Sequence, residues 1–308
     1  MTAIEEQQIL ITGGAGFVGS HLTERLIEDN DVIALDDLSA GKQDDVPEKS
    51  TFKQGDICNR DFLDELTDDI DIVFHQAAVV SVQRSIENPE TCHEVNTDAT
   101  LHLLELAREK DFRLVLASSA AIYGQPETVP ISENDSKTPT SPYGIDKWTI
   151  DRYAQIYNDL YDTETVALRY FNIYGPRQRG GDYGGVISIF RDQALAGEPI
   201  TVDGDGTQTR DFVHIDDVVK ANILAATTEH TGEAYNIGRG QQTSIAELAE
   251  TIQTLANTDS EVTYTEPRPG DIEESVADIS KAREELGFEP TVSLEEGLET
   301  VLEEARGN

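Results

Sequence analysis

Cysteine is nearly absent from this chain of 308 residues, which contains only Cys58 and Cys92. Two cysteines are too few for a disulfide framework, and neither lies in a cluster with metal-ligand spacing. We therefore expect reduced thiols and no bound metal, which argues against a small disulfide-stabilised secreted protein.

Basic residues are also scarce, since 23 lysines and arginines face 60 aspartates and glutamates, for a net charge of −37. Such a charge repels nucleic acid, so we expect no nucleic-acid partner. Acidic pairs such as Asp68-Asp69 and Glu273-Glu274 are spread along the chain and do not form one tail. The pattern suggests a halophilic source, because high internal salt screens the self-repulsion of an acidic surface.

Long apolar runs are missing too: no stretch of about 18 apolar residues occurs, which predicts no membrane-spanning helix. The first residues, Met-Thr-Ala-Ile-Glu-Glu, lack the basic and apolar segments of a signal peptide. We expect a soluble cytoplasmic protein with no membrane partner. The length permits one large domain or two unequal ones.

A glycine-rich loop, Thr12-Gly-Gly-Ala-Gly-Phe-Val-Gly19, is the first motif that carries chemistry. It follows the apolar run Gln8–Ile11 and precedes a helical pattern over 18–28, which is the strand, turn and helix order of a dinucleotide site. Gly13, Gly16 and Gly19 allow a tight turn and close approach of a pyrophosphate to the helix N-terminus. The spacing is Gly-x-x-Gly-x-x-Gly.

Asp36 ends the next predicted strand, about 20 residues after the loop. A carboxylate at this point accepts hydrogen bonds from the adenosine ribose and repels a 2′-phosphate. Asp37 adds to the same bias, so the predicted cofactor is NAD and not NADP.

Tyr143-Gly-Ile-Asp-Lys147 is the second chemical motif. Residues four apart share one face of a helix, so the Lys147 ammonium can act on the Tyr143 phenol. Ser141 and Pro142 are typical of a helix start. A phenol that works as a base near pH 7 to 8 needs its pKa lowered by two to three units, about 3 to 4 kcal/mol. Lys147 and a positively charged nicotinamide are the expected causes.

Strand-like runs alternate with helical patterns through the first half of the chain. This alternation predicts an α/β fold with a doubly wound parallel sheet, the NAD-binding Rossmann arrangement, and with ligand at the carboxyl ends of the strands. The predicted strands are Ile9–Ile11, Val32–Leu35, Phe52–Gln54, Ile72–Phe74, Leu114–Ala117 and Val166–Leu168, and the predicted helices are 18–28, 60–66, 89–110 and 142–161. Shorter elements and glycine-rich and aspartate-rich connections in the second half, such as 178–185, predict a smaller C-terminal substrate domain.

In order, these motifs resemble those of the extended short-chain dehydrogenase/reductase family, and specifically its nucleotide-sugar 4-epimerases. The resemblance covers nearly the whole chain. Its landmarks are Thr12 to Gly19, Asp36, Gly55-Asp56-Ile57, His75-Gln-Ala-Ala78, Asn96, Ser118 to Gly124, Tyr143 to Lys147, Arg169-Tyr-Phe-Asn172, Arg210 to His214, Asn236-Ile-Gly238 and Arg268-Pro-Gly-Asp271.

The resemblance implies a bound NAD and a catalytic set of Ser119, Tyr143 and Lys147. Tyr143 would take the proton of the sugar 4-hydroxyl, Ser119 would hydrogen-bond the 4-oxygen, and Lys147 would also hold the nicotinamide ribose. The cofactor residues that it implies are Gly13, Gly16, Phe17, Val18, Gly19, Asp36, Asp37, Ser39, Gly41, Asp56, Ile57, Gln76, Ala77, Ala78, Asn96, Ser118, Tyr143, Lys147, Tyr170 and Ile173.

A UDP-sugar substrate also follows from the resemblance. Arg210 and Arg268 would clamp the phosphates, and Val186, Ile200 and Val202 either flank uracil or are buried for packing. Ser275 stands where family members restricted to unsubstituted hexoses have a bulky tyrosine, which suggests room for an N-acetylhexosamine. The substrate residues implied are Ser81, Ser119, Tyr143, Asn172, Arg177, Val186, Ile200, Val202, Arg210, Arg268, Asp271 and Ser275.

Ala120 and Ala121 distinguish reactions within the family. Related 4,6-dehydratases have an Asp-Glu pair directly after the hydroxyl residue and the decarboxylases have a glutamate there, whereas two methyl groups can do no acid–base work. The open alternatives are a UDP-glucuronate 4-epimerase, another nucleotide-sugar epimerase or dehydratase, and a non-catalytic NAD-binding regulatory protein.

The resemblance also implies a domain division and an oligomer. Residues 1–178 and about 211–240 would form the NAD-binding domain, and 179–210 and 241–308 the nucleotide-sugar domain. Helices near 89–110 and 142–161 would pair with their copies in a homodimer, although Leu101, Leu104 and Ala107 fit equally well against the sheet of their own subunit.

Overall fold

The computed structural model describes residues 4–180, 185–268 and 270–307. The loop predicted over 178–185 and the landmark at Arg268–Asp271 each lie partly outside these residues. Among the helices described, none is long and apolar enough to cross a membrane.

A seven-stranded parallel sheet organises the larger part of the chain, in the order β3-β2-β1-β4-β5-β6-β11. The strand order reverses between β1 and β4, which is where ligands bind in sheets of this kind. Its strands are β1 (Gln8–Thr12), β2 (Asp31–Asp36), β3 (Thr51–Gln54), β4 (Ile72–His75), β5 (Arg113–Ser119), β6 (Thr165–Tyr170) and β11 (Glu233–Ile237). All six predicted strands are confirmed. The seventh, β11, comes from the stretch near 211–240, where the chain returns to this sheet.

Helices cover both faces of this sheet, because each buries one apolar stripe against it. One face carries α1 and α8, and the other carries α2, α5 and α6. The helices of this part are α1 (Phe17–Leu26), α2 (Arg60–Leu66), α3 (Val82–Glu87), α4 (Pro89–His93), α5 (Ala99–Lys110), α6 (Pro142–Tyr161) and α8 (Ile215–Thr227). The predicted helix over 89–110 is α4 and α5 joined by one π-helical segment, Glu94–Asp98.

A smaller layer packs around a separate apolar core formed by helices α7, α9 and α10 and by strand β8. Its elements are α7 (Val186–Ala196), β8 (Ile200–Asp203), α9 (Ile245–Ala256), β13 (Val262–Thr265) and α10 (Leu294–Gly307). Two further short strand pairs join the parts: β7 (Asn172–Tyr174) with β10 (Phe212–His214), and β9 (Thr209–Arg210) with β12 (Thr243–Ser244).

The segment near residue 285 differs from the predicted domain division. Ala282, Leu286 and Phe288 belong to the core of the seven-stranded sheet, where they pack with α8 and β11, although 241–308 was assigned to the smaller domain. The reason is tertiary: the apolar side chains of this stretch pack on α8 and β11, which are distant from it in the sequence.

Candidate active site

The glycine loop joins β1 to α1 at the point where the strand order reverses. Gly13 has a φ of +69°, and a Cβ there would lie 2.8 Å from the Ala77 nitrogen. A Cβ on Gly19 would lie 2.0 Å from the Gly13 oxygen, so both positions exclude larger residues. Helix α1 has no acidic residue in its first turn, so its free amides and dipole can meet an anion.

Asp36 lies at the carboxyl end of β2 and holds the turn around it. One carboxylate oxygen accepts the Ala15 amide at 3.0 Å, and the other accepts the Leu38 amide at 2.8 Å. Burial raises the pKa of this carboxyl group, and the two amides oppose that rise. The Asp37 carboxylate accepts the Ser39 amide at 2.8 Å.

A cavity of 380 Å³ opens along the carboxyl edge of the sheet, from the glycine loop to Tyr143. Every predicted cofactor residue except Asn96 lines it. Of the predicted substrate residues, it brings in Ser119, Tyr143 and Arg177. Ser118 borders the cavity, but its hydroxyl donates to the buried Asp151 carboxylate at 2.8 Å.

Tyr143 stands in the first turn of α6, as the sequence predicts. The Ser141 hydroxyl accepts the Gly144 amide at 3.1 Å, and Pro142 occupies the first helical position. The Tyr143 amide donates to the Ser85 hydroxyl at 3.2 Å. The tyrosine is therefore held by a capped helix and by a contact to α3, which fixes where its ring enters the cavity.

Tyr143 and Lys147 are both fully enclosed, and this changes their protonation. Burial raises the pKa of Tyr143, while the hydrogen bond from Ser119 lowers it. Burial lowers the pKa of Lys147 to about 8. The Lys147 ammonium donates to the Ala117 carbonyl at 2.7 Å and lies 6.0 Å from the centre of the Tyr143 ring. In the protein alone, burial therefore prevails, and the pKa of Tyr143 is raised and not lowered as expected.

A hydrogen-bonded chain behind the cavity contains a buried histidine that the sequence analysis noted only as a landmark. His75 Nδ1 lies 2.7 Å from the Thr12 hydroxyl, and Nε2 lies 2.8 Å from the Thr100 hydroxyl. The Thr12 hydroxyl also accepts the Ala77 amide at 3.2 Å. Burial lowers the pKa of His75 to about 3, so the imidazole is neutral near pH 7.

Asn96 continues this chain and does not line the cavity. The Thr100 hydroxyl donates to the Asn96 carbonyl at 2.7 Å, so it accepts the proton of His75 Nε2. The Asn96 amide group bonds both the nitrogen and the oxygen of Val79, at 2.8 and 3.0 Å. Asn96 therefore shapes the 76–80 loop that borders the cavity, from inside the π-helical segment, a feature frequent at functional sites.

Some of the residues predicted to bind the nucleotide lie together around Arg210, and Arg268 does not. The Arg210 guanidinium binds the Asp271 carboxylate at 2.5 Å and the Ile272 carbonyl at 2.7 Å. The Asn172 amide donates to the Asp211 carbonyl at 3.2 Å, next to Arg210. The Ser275 amide donates to the Thr209 carbonyl at 3.2 Å, and the residue is buried. Arg268 lies apart at the surface, in an ion pair with Asp203.

Burial and position bear on four of the predicted substrate residues, and for the apolar ones they favour the packing alternative. Ile200 and Val202 have no exposed surface and belong to the core of the smaller layer, so packing takes precedence over a contact with uracil. Val186 packs partly against the same core. Ser81 caps α3, its hydroxyl accepting the Arg84 amide at 3.2 Å, and it does not line the cavity.

Arginines at 177 and 179 border the cofactor cavity, not the Arg210 cluster. The sequence analysis assigned Arg177 to the substrate and did not single out Arg179. Nothing in the local pattern distinguishes Arg179 from any surface arginine, because its position depends on a contact with a loop more than 130 residues earlier in the chain.

The residues present fit a bound dinucleotide. The loop that Gly13 and Gly19 permit exposes amides at the head of α1, and Asp36 ends β2 beside it. Arg177 and Arg179 add positive charge at the border of the same cavity, which suits the anionic pyrophosphate of a dinucleotide. Among the described residues, no three or more histidine, cysteine, aspartate or glutamate side chains gather in a group that could hold a metal ion.

The fold and site define a dinucleotide-binding α/β protein with a serine, tyrosine and lysine at the end of its cofactor cavity. Residues 9–238 match the model of the NAD dependent epimerase/dehydratase family, and the chain belongs to that family. It is 42% identical to a putative UDP-glucose 4-epimerase of Methanocaldococcus jannaschii, over 97% of this chain and 99% of that protein.

The chain is also similar to solved structures of nucleotide-sugar 4-epimerases. The UDP-glucose 4-epimerase of Thermotoga maritima, crystallised with UDP-glucose, is 38% identical, with a TM-score of 0.94 over 97% of this chain and 99% of the other. A UDP-N-acetylglucosamine 4-epimerase from Methanobrevibacter ruminantium is 35% identical, with a TM-score of 0.95 over 99% of both chains.

Proposed function

We propose that this protein inverts C4 of a UDP-sugar through a transient 4-keto intermediate. One observation carries the proposal: Ser119, Tyr143 and Lys147 meet in the same cavity as the glycine loop and Asp36, and Ala120 and Ala121 follow the serine. The glucose/galactose pair is the primary substrate in this proposal, and the relatives with UDP-glucose in their names support it.

The protein groups divide the work as follows. Tyr143 accepts the proton of the sugar 4-hydroxyl and returns one to the 4-oxygen after inversion. Ser119, beside the phenol in the same cavity, bridges it to that oxygen. Bound NAD accepts the C4 hydride and gives it back to the opposite face, so no second redox substrate is consumed. Lys147, 6.0 Å from the ring, favours the phenolate when it is charged.

The nucleotide end is assigned to the cluster around β9. The Arg210 guanidinium donates one hydrogen bond to the Asp271 carboxylate and another to the Ile272 carbonyl. A phosphate could replace the Asp271 carboxylate without a change in the orientation of the guanidinium. Asn172 and Ser275 lie beside it. Arg268 pairs with Asp203 at the surface, where its side chain is 69% exposed, and a turn toward a diphosphate would exchange that ion pair for a phosphate contact. We keep the division into an NAD-binding domain, which would hold the cofactor cavity, and a nucleotide-sugar domain, which would hold the cluster around Arg210, as part of this proposal.

Acceptance of N-acetylhexosamines is part of the proposal. Ser275 has a small side chain at the predicted sugar wall, and a relative of known structure is a UDP-N-acetylglucosamine 4-epimerase. A UDP-glucuronate epimerase is the second candidate, because a chain from Bacillus cereus with that name is 32% identical, with a TM-score of 0.90.

The test is to incubate the purified protein in multimolar KCl, without added NAD, with UDP-glucose, UDP-N-acetylglucosamine or UDP-glucuronate, and to resolve products by NMR. A C4 epimer from any of them establishes both reaction and retained cofactor, and the substrate that turns over selects among the candidates. Tyr143→Phe is the control: it should keep fold and NAD but lose activity by about 10²- to 10⁴-fold. No epimer with NAD bound would favour a non-catalytic regulatory role.

We also propose a homodimer through the outer side of α4 to α6. Leu104 and Ala107 pack inside their own chain, so they do not serve that contact. Ile145 and Trp148 on α6, and Ile86 on α3, are large apolar side chains that are 42% to 57% exposed.

A further inference from the structure

The segment that follows β7 runs along the cofactor cavity and is tied to α1. The His21 ring lies 3.0 Å from the Pro176 carbonyl. The Arg177 amide donates to the Glu304 carboxylate at 2.8 Å, and its guanidinium pairs with Glu24 of α1. Arg177 has a φ of +64°, a left-handed conformation that a residue other than glycine adopts only when its surroundings hold it there.

Arg179 then connects this segment to the loop after β2. Its Nη1 donates to the Ala40 carbonyl at 2.5 Å, and its Nη2 pairs with the Asp45 carboxylate. Asp45, Ala40 and Arg179 all line the cavity. The contact therefore joins two walls that lie more than 130 residues apart in the chain. It lies beside Asp36, whose pKa is raised by burial, a rise that the charge of Arg179 slightly opposes.

We propose that Arg179 and Asp45 form a clasp that keeps NAD bound between turnovers. Arg179, through Asp45 and Ala40, holds the 175–180 segment across the cavity. The inference rests on the proposed function, in which the hydride returns to the substrate and the cofactor has no need to leave.

The test measures release of NAD from purified holoprotein in the absence of sugar, by rapid removal of free nucleotide and assay of what stays bound over time. Asp45→Ala is the decisive variant, because it removes the partner of Arg179 and also a negative charge near an anionic ligand. If charge alone mattered, loss of a carboxylate that repels anionic NAD would slow the release of NAD from this variant. The clasp predicts instead that Asp45→Ala releases NAD about five- to tenfold faster than the unaltered protein.

Two companion variants complete the design. Arg179→Ala should release NAD faster by a similar factor. Arg283→Ala makes the same charge change as Arg179→Ala at a remote surface ion pair and should retain NAD like the unaltered protein. Melting curves of each apoprotein check the fold.

Unchanged or slower release from Asp45→Ala would overturn the clasp, whatever Arg179→Ala does. This result is independent of the epimerase assay, because no sugar is present. A protein that epimerises sugars but shows no effect of Asp45→Ala refutes only the clasp. A protein that holds NAD through the clasp but makes no epimer refutes only the proposed reaction.

Discussion

At the scale of single residues, Lys147 shows how the site trades stability for chemistry. Its ammonium is enclosed, and burial lowers its pKa from 10.5 to about 8. Unfolding restores the higher pKa, so the unfolded chain binds more protons between these values. The contribution of Lys147 to the free energy of unfolding therefore rises with pH across the window from about 8 to 10.5.

We predict that Lys147→Met makes the cofactor-free protein more stable at pH 7, by about 2 kcal/mol. Relief of the buried charge outweighs the lost hydrogen bond to the Ala117 carbonyl. The gain should shrink as pH rises from 8 to 10.5, and epimerisation should be lost. Urea unfolding of both proteins at several pH values measures this. A variant less stable than the parent at pH 7 would contradict the prediction.

The chain through His75 gives a second prediction. Thr100→Val keeps the shape of the side chain but leaves the His75 Nε2 proton without an acceptor, which should cost about 1 to 3 kcal/mol of unfolding free energy. NAD binding should weaken too, because Asn96 and the 76–80 loop depend on the same network.

Thr100→Ser is the matched control, since it keeps the hydroxyl and should restore most of both properties. Calorimetric titration of the apoprotein with NAD, alongside urea unfolding, provides the two readouts. Equal behaviour of valine and serine would show that packing, and not the hydrogen bonds, matters at this position.

At the scale of elements, α3 and α6 carry the test of the dimer. Ile145→Glu places a charge in the exposed apolar patch, which would cost several kcal/mol if a partner covers it. We expect sedimentation equilibrium to show a monomer for this variant and a dimer for the parent. Tyr264→Glu is the control, because this side chain is 54% exposed on β13, in the smaller layer. A dimer that persists in Ile145→Glu would exclude this face.

The elements of the sheet could be predicted because each depends on its own stretch of sequence. The apolar runs before Gly13 and Asp36 set β1 and β2, and Ser141 and Pro142 set the first residue of α6. The π-helical segment at Glu94–Asp98 could not be predicted, because its irregular turn accompanies contacts to α6 and to the loop at Val79.

At the scale of the whole molecule, the net charge of −37 dominates. We predict that the free energy of unfolding, measured with urea, rises between 0.1 and about 1 M KCl, where the Debye length falls from about 10 to 3 Å. Screening of self-repulsion should then be largely complete, so further salt adds less. A flat dependence over this range would show that repulsion does not limit stability. Sucrose, which is uncharged, is the control for general solvent effects.

The sequence by itself determined the doubly wound sheet, the glycine loop, Asp36 and the Tyr143–Lys147 pair. Each is set by neighbours a few residues away, through hydrophobic period, turn chemistry or helical spacing. Only the tertiary structure decided that Ile200 and Val202 are core residues, that 282–288 packs on the large sheet, and that Arg177 faces the cofactor cavity. These depend on surfaces contributed by distant parts of the chain, which no local pattern records.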